Sequence, residues 1–282
     1  MAARAFADRH RYWLLILPAL AAMLIFYVWP LIQIFAISFT EPTTGFGNYV
    51  ELLSSRAIRT SFVITFRVAA LTTVGCLLLG YVVAYAIYNT RARYVGLMLM
   101  LVLLPFWLSV LVRSFAWIVL LGRGGVVNDA LIGLGLIDRP LALMHNEFGV
   151  LIAMVHVMLP YAVLPLMANM KGIDPSYVAA ARGLGASELT AFRQVYLPQT
   201  LPGIFSAALL VFVISLGFYI TPALLGGGRV LMISEYITYQ IQEFLKWGLG
   251  TALSVALLVA TAAVILAAAR FVNLRKTLLE RG

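Results

Sequence analysis

Six long apolar stretches, at about 12–39, 61–88, 95–121, 148–170, 199–221 and 249–269, dominate this chain of 282 residues. The first runs from Tyr12 to Phe39 without a formal charge. All six are near-continuous Leu, Val, Ala, Ile and Phe, with none of the alternation of a half-buried strand. About 20 helical residues cross a bilayer core, and a helix satisfies every backbone N–H and C=O within one segment. The expected fold class is therefore all-α: a polytopic membrane protein with six transmembrane helices in a single domain, residues 1–282. Composition agrees, since 63% of residues are hydrophobic and 11% charged, against about 25% charged in a soluble domain. A soluble enzyme and a disordered chain are excluded. The single cysteine, Cys76, sits in an apolar run, where it is expected to pack as a small hydrophobe.

Arg4, Arg9 and Arg11 ahead of an apolar run resemble a secretory signal, with Ala19-Leu20-Ala21 imitating a cleavage site. A signal's apolar core covers about 7–15 residues, and this run continues well past that length. An uncleaved first span is expected. Lys and Arg then set the orientation. With the N-terminus in the cytoplasm, 12 of them fall in cytoplasmic segments, 6 in outer loops, and Arg67 and Arg113 within spans. Four acids lie inside and seven outside, so the formal net charge of +9 divides into +8, −1 and +2 for the spans. Both termini are expected in the cytoplasm. The basic residues are scattered at span ends, which favours membrane lipids with anionic headgroups as partners and gives no stripe for nucleic acid. Tyr12, Trp13, Tyr49, Tyr88, Tyr94, Tyr236 and Trp247 suit an aromatic belt near the span ends.

Three outer loops exceed a turn. Residues 41–60 suggest a turn and a short polar helix, Val126 to Ile137 an apolar-periodic stretch along the membrane face, and Gly226-Gly227-Gly228 a flexible turn. The longest cytoplasmic segment, 171–198, carries the most information. Asp174 suits an N-cap and Pro175 the first helical position, and Gly183 or Gly185 can supply a left-handed stop. Ser187 can cap a second helix, about Glu188 to Val195, before Leu197-Pro198 leads into the fifth span. The Ala179-Ala180-Ala181 face is small enough for another backbone to approach closely. A solvated connector is the plain alternative, and it would need none of this spacing.

That segment resembles the cytoplasmic coupling loop, or EAA loop, of ABC-importer permeases of type I. The family pattern is Glu-Ala-Ala, three residues, Gly, nine residues, an aliphatic residue, one residue, then Leu-Pro. Ala180 and Ala181 match the alanines, Gly185 the glycine, Val195 the aliphatic position, and Leu197-Pro198 the closing pair. Ala179 stands where the family's glutamate is expected, and Glu188 is a candidate substitute. The stretches Leu104 to Trp107, Leu111 to Trp117, Gly149 to Pro160 and Gly217 to Pro222 are similar to the spermidine/putrescine-type permeases within that family. The resemblance implies a multi-pass permease of the bacterial inner membrane with a coupling helix, taking a small solute of polyamine type or a related organic solute. It implies as partners a cytoplasmic ABC ATPase dimer, a second permease subunit, homologous or identical, and an external, periplasmic solute-binding protein. ATP and Mg would be held by the ATPase, with no cofactor in this chain. The coupling set is Ala179, Ala180, Ala181, Gly185, Glu188, Leu197 and Pro198.

The residues of the spans bear on the solute. Arg67 is expected to snorkel to the outer headgroups, while Arg113 faces either the headgroups or the bundle interior. Trp107, Arg113, Trp117, Tyr161, Phe218 and Tyr219 are candidates for the translocation path. A cation would use their aromatic faces, yet no Asp or Glu falls in the six windows. Only the resemblance argues for a polyamine. His156, alone in its span, is expected to make an interior hydrogen bond. No Gly-x-x-x-x-Gly-Lys-Ser/Thr occurs, and no nucleophile–base or metal-ligand cluster stands out, so the chain is expected to be no enzyme. The rival class is a secondary transporter or channel driven by an ion gradient, which favours ionisable residues within spans and inverted repeats. A structural membrane anchor would leave the 171–198 loop without a purpose.

Overall fold

The computed structural model describes residues 16–279, with side chains to Arg270. The arginines at 4, 9 and 11, with Tyr12 and Trp13, lie outside the described residues, as do the side chains of the basic residues beyond 270. Among the described residues every regular element is helical. Helix α1 covers Ile16–Thr40, α2 Gly47–Ser54, α3 Arg56–Asn89, α4 Ala92–Trp107, α5 Val110–Leu121 and α6 Val126–Gly133. Helix α7 covers Glu147–Lys171, α8 Ser176–Gly183, α9 Glu188–Leu216, α10 Ile220–Gly226, α11 Ile233–Gln242 and α12 Trp247–Leu279. Six segments are long and apolar enough to cross a membrane: 16–40, 56–89, 110–133 (α5 and α6 with the turn between them), 147–171, 188–216 and 247–270.

Two expected spans differ in detail. The stretch expected at 95–121 is interrupted at Leu108-Ser109, where the backbone is extended, and becomes α4 and α5. The stretch expected at 199–221 is helical only to Leu216 and restarts at Ile220. In the other direction, the short helix expected at 188–195 does not stop. It continues through Leu197-Pro198 as α9, by way of a π turn at Phe192–Tyr196. A second π turn, Leu24–Val28, lies in α1 and likewise ends two residues before a proline, Pro30. A proline ring clashes with the carbonyl four residues back and has no N–H to donate. A widened turn placed just before it lets the helix carry on.

The described residues fall into two compact units, one within 59–236 and 261–282, the other within 1–58 and 237–260. The larger is built around α7. Its start is capped by Asn146, whose side chain accepts the Gly149 N–H at 3.0 Å. Glu147 in the first turn and Lys171 in the last complement the helix dipole. Val150, Met154, Met158, Val163, Leu166 and Met170 of α7 are buried. Glycines bring α3 and α9 close to it: a Cβ at Gly80 would lie 3.1 Å from Ala162, and one at Gly203 2.6 Å from Asn169. Small residues let membrane helices approach this closely, where dispersion rather than water exclusion holds them. Cys76, fully buried against α7, packs as expected. The Thr65 hydroxyl accepts the Ile233 N–H at 2.7 Å and fixes the start of α11 to α3.

In the smaller unit Asn48 donates to the carbonyls of Ser38 and Glu41, at 2.9 and 2.7 Å, folding α2 back on the end of α1. Phe39 and Tyr49 pack at 4.8 Å between ring centroids. Lys246 stands 3.9 Å from Glu51.

Candidate functional site

The loop 171–198 folds as a closed device. Asp174 Oδ1 accepts the Ser176 N–H at 2.8 Å and starts α8. That bond favours the ionised carboxylate and holds the Asp174 pKa below its ordinary value. Helix α8 stops in a Schellman motif: Gly185 N–H donates to Arg182 O at 3.0 Å and Ala186 N–H to Ala181 O at 3.1 Å. The left-handed residue this motif needs is Gly185, at φ +90°, whereas Gly183 stays helical. Ser187 caps α9 by accepting the Thr190 N–H at 3.2 Å. Arg182 and Glu188 form an ion pair at 3.0 Å across the turn, both side chains exposed.

Behind α8 lies a groove of about 390 Å³ against the ends of α3 and α9. Tyr85, Tyr88, Phe192 and Tyr196 line it with Ala179 and Glu188. The rings form one cluster, with Tyr85–Phe192 at 5.5 Å, Tyr85–Tyr196 at 5.6 Å and Phe192–Tyr196 stacked at 5.7 Å. Glu188 therefore reaches the space that Ala179 borders. Ala180 and Gly185 are exposed, Ala181 and Leu197 half-buried, and Pro198 lies exposed just after the π turn. The aromatic cluster escaped sequence reasoning, although Tyr81, Tyr85 and Tyr88 share one face of α3 at helical spacing, as Phe192 and Tyr196 do on α9.

A second cavity, about 290 Å³, opens where α4 gives way to α5. It is lined by Phe106, Arg113, Tyr161, Phe218 and Tyr219, with Val110, Val157, Gly217 and Ile220 completing the wall. Four of the six expected path residues thus meet here. Arg113 Nη1 donates to the Pro105 carbonyl at 2.5 Å, spanning the break between the two helices, while its buried Nε–H makes no hydrogen bond among the described residues. Phe106 and Tyr161 pack at 5.5 Å. The buried hydroxyls of Ser114 and Thr221, 3.2 Å apart, tie α5 to α10 beside the cavity. The two tryptophans are placed elsewhere. Trp107, 88% exposed, is at the end of α4, and Trp117 turns towards α7, donating its Nε1–H to His156 Nδ1 at 3.2 Å. That bond is the interior partner expected for His156. Arg67 forms an ion pair with Glu147 at 2.5 Å, joining α3 to the first residue of α7.

The family described as "Binding-protein-dependent transport system inner membrane component" matches residues 76–277, a stretch that contains both sites. The chain belongs to this family. Among its relatives is the spermidine/putrescine transport system permease protein PotB of Haemophilus influenzae, 36% identical over 197 residues and covering 70% of this chain and 69% of the relative. The PotB of Escherichia coli is 31% identical over 229 residues, covering 81% and 83%. The fold is also similar to that of a bacterial ABC transporter involved in the import of the acidic polysaccharide alginate. There the TM-score is 0.75 at 22% identity, over 95% of this chain and 98% of that one. As a member of the family the chain is a multi-pass inner-membrane permease of the ABC-importer class.

Proposed function

We propose that this chain is the permease subunit of an ATP-driven importer for small organic cations of the polyamine type, spermidine and putrescine among them. The observation that carries the reading is the 171–198 loop. A short helix with a fixed start, a fixed stop and a small-residue face stands on an aromatic-lined groove at the ends of α3 and α9. Such a helix transmits a push on its exposed face to two spans at once. The name of the PotB relatives supports the solute class, and the four aromatic faces at the α4–α5 break offer cation–π contacts for an ammonium group.

In this reading α8 sits on a cytoplasmic ABC ATPase dimer, which holds ATP and Mg, and the coupling set is Ala179, Ala180, Ala181, Gly185, Glu188, Leu197 and Pro198. Glu188, in the groove beside Ala179, offers the carboxylate that Ala179 lacks. A second permease subunit completes the path on the side of Phe106, Arg113, Tyr161, Phe218 and Tyr219. A periplasmic solute-binding protein delivers the solute to the outer loops at Val126 to Ile137 and Arg229 to Lys246. Both termini face the cytoplasm. Rocking of the two subunits about the shared site gives alternating access.

The test is reconstitution in vesicles with the partner ATPase and binding protein. Accumulation of labelled putrescine or spermidine is expected to stop when ATP hydrolysis is blocked with vanadate. Accumulation that persists under an ion gradient without hydrolysis overturns the proposal in favour of a secondary transporter.

A further inference from the structure

The cavity at Arg113 is the meeting point of two helix interruptions. Helix α4 ends at Trp107 and α5 restarts at Val110; α9 ends at Leu216 and α10 restarts at Ile220. Phe106, Val110, Phe218 and Ile220, next to those four ends, all line it. The last turns of α4 and α9 leave carbonyls without intrahelical partners at the negative end of the helix dipole, and the first turns of α5 and α10 bring N–H groups and a positive end to the same space. At membrane depth, backbone of this kind is tolerated where it lines a cavity. No carboxylate is among the lining residues. An ammonium group in this space therefore meets helix-end carbonyls and ring faces as its acceptors.

One cation is already in place. The Arg113 guanidinium sits on the Pro105 carbonyl in the last turn of α4, the kind of acceptor an entering ammonium would use, and its buried Nε–H has no partner among the described residues. Two unit charges do not share so small a space without strong repulsion. We infer that Arg113 is a resident cation: it occupies the helix-end acceptor while the cavity is empty and is displaced when the solute's ammonium group enters. The inference rests on the polyamine reading of this cavity and adds a role for the arginine, a positioning residue that holds α4 against α5 across the break until solute arrives. Displacement then ties occupancy of the cavity to release of that clamp.

The test uses the complete complex in vesicles, with Arg113→Gln and Arg113→Lys beside the unaltered protein, each scored first for assembly. Without solute, Arg113→Gln is expected to hydrolyse ATP several-fold faster, because the clamp is open. With putrescine added in the absence of binding protein, the concentration giving half-maximal ATPase stimulation is expected to fall by roughly fivefold, since the competing charge is gone. A residue that only braces the fold would leave that concentration unchanged or raise it. An unchanged basal rate in Arg113→Gln, or a half-maximal concentration that is unchanged or raised, overturns the inference. Should that variant fail to assemble, Arg113→Lys decides: it keeps the charge but lacks the fork that reaches Pro105, so the basal rate is expected to rise, and an unaltered basal rate overturns the inference. A complex whose unaltered form, with the binding protein present, responds to neither putrescine nor spermidine refutes the polyamine reading, and the solute-free basal rates still decide the role of Arg113.

Discussion

Gly185 stands at φ +90° in the turn that ends α8, and a Cβ there would meet nothing within 4 Å. The cost of a side chain at this position is therefore backbone strain and not crowding. Gly185→Val is expected to strain the turn by about 1–3 kcal/mol, since β-branched residues avoid this region. Uptake per ATP hydrolysed should drop several-fold with membrane insertion intact, measured as the ratio of solute accumulated to phosphate released in vesicles. Gly185→Asn, which tolerates the left-handed region, should recover most of it. This glycine and the cap at Ser187 were legible because capping is local chemistry, written within three or four residues. Pro175 takes the N-cap position expected for Asp174, whose side chain instead accepts the Ser176 N–H. The partners of Arg113, Trp117 and Arg67 were not legible. Each lies on the far side of a helix break or on another helix, and only folding brings the Pro105 carbonyl, His156 and Glu147 within reach.

Helices were legible in proportion to how strongly the membrane constrains them. A run of twenty apolar residues has few other fates, and five of the six long segments coincide with the expected spans. The third, expected at 95–121, lies at 110–133, with Ala92–Trp107 a separate, shorter helix. The interruptions do not follow from the sequence. Leu108-Ser109 contains no breaking residue, and Pro105 lies inside α4 rather than at its end. The reverse error came at Leu197-Pro198, where a proline suggests a stop but a π turn lets α9 run through. Packing between elements is tight where α9 crosses α7. Gly203 faces Asn169 there, and an added Cβ would come within 2.6 Å of the Asn169 Cβ. Gly203→Leu is expected to force the two helices apart, at roughly 1–3 kcal/mol for an overpacked contact. The result should be a lower midpoint of thermal unfolding in detergent and less assembled complex, while Gly203→Ala should do so to a smaller degree. An unfolding midpoint equal to the parent's in Gly203→Leu would mean that α7 and α9 are not packed as described.

For the whole molecule, the distribution of Lys and Arg is the signal of orientation, and it can be tested with the protein's own surface. Leu184, 91% exposed after α8, and Leu245, 69% exposed after α11, belong to opposite sides in the proposed topology. The one native cysteine, Cys76, is fully buried and can be replaced by alanine to give a silent background. In that background Leu245→Cys is expected to react with a membrane-impermeant maleimide in spheroplasts, and Leu184→Cys only in inside-out vesicles. The opposite pattern would reverse the topology. The expected division into +8, −1 and +2 rests on charge placement alone, which needs no knowledge of packing. Which faces of the spans meet one another was not readable, since nearly every face is equally apolar.

The position of α7 at the centre of the larger unit also dictates an order of events at the ribosome. Its packing partners come from both sides of the sequence: α3 and α4 are made before it and α9 after it. At roughly 5–20 residues per second, α9 follows α7 by several seconds. During that interval the face of α7 that Gly203 will cover, Asn169 included, is exposed to lipid or to the insertion machinery. A pause placed between 171 and 216 would prolong that half-built state. Synonymous codon changes in this short stretch could therefore alter the yield of the protein without altering a single residue.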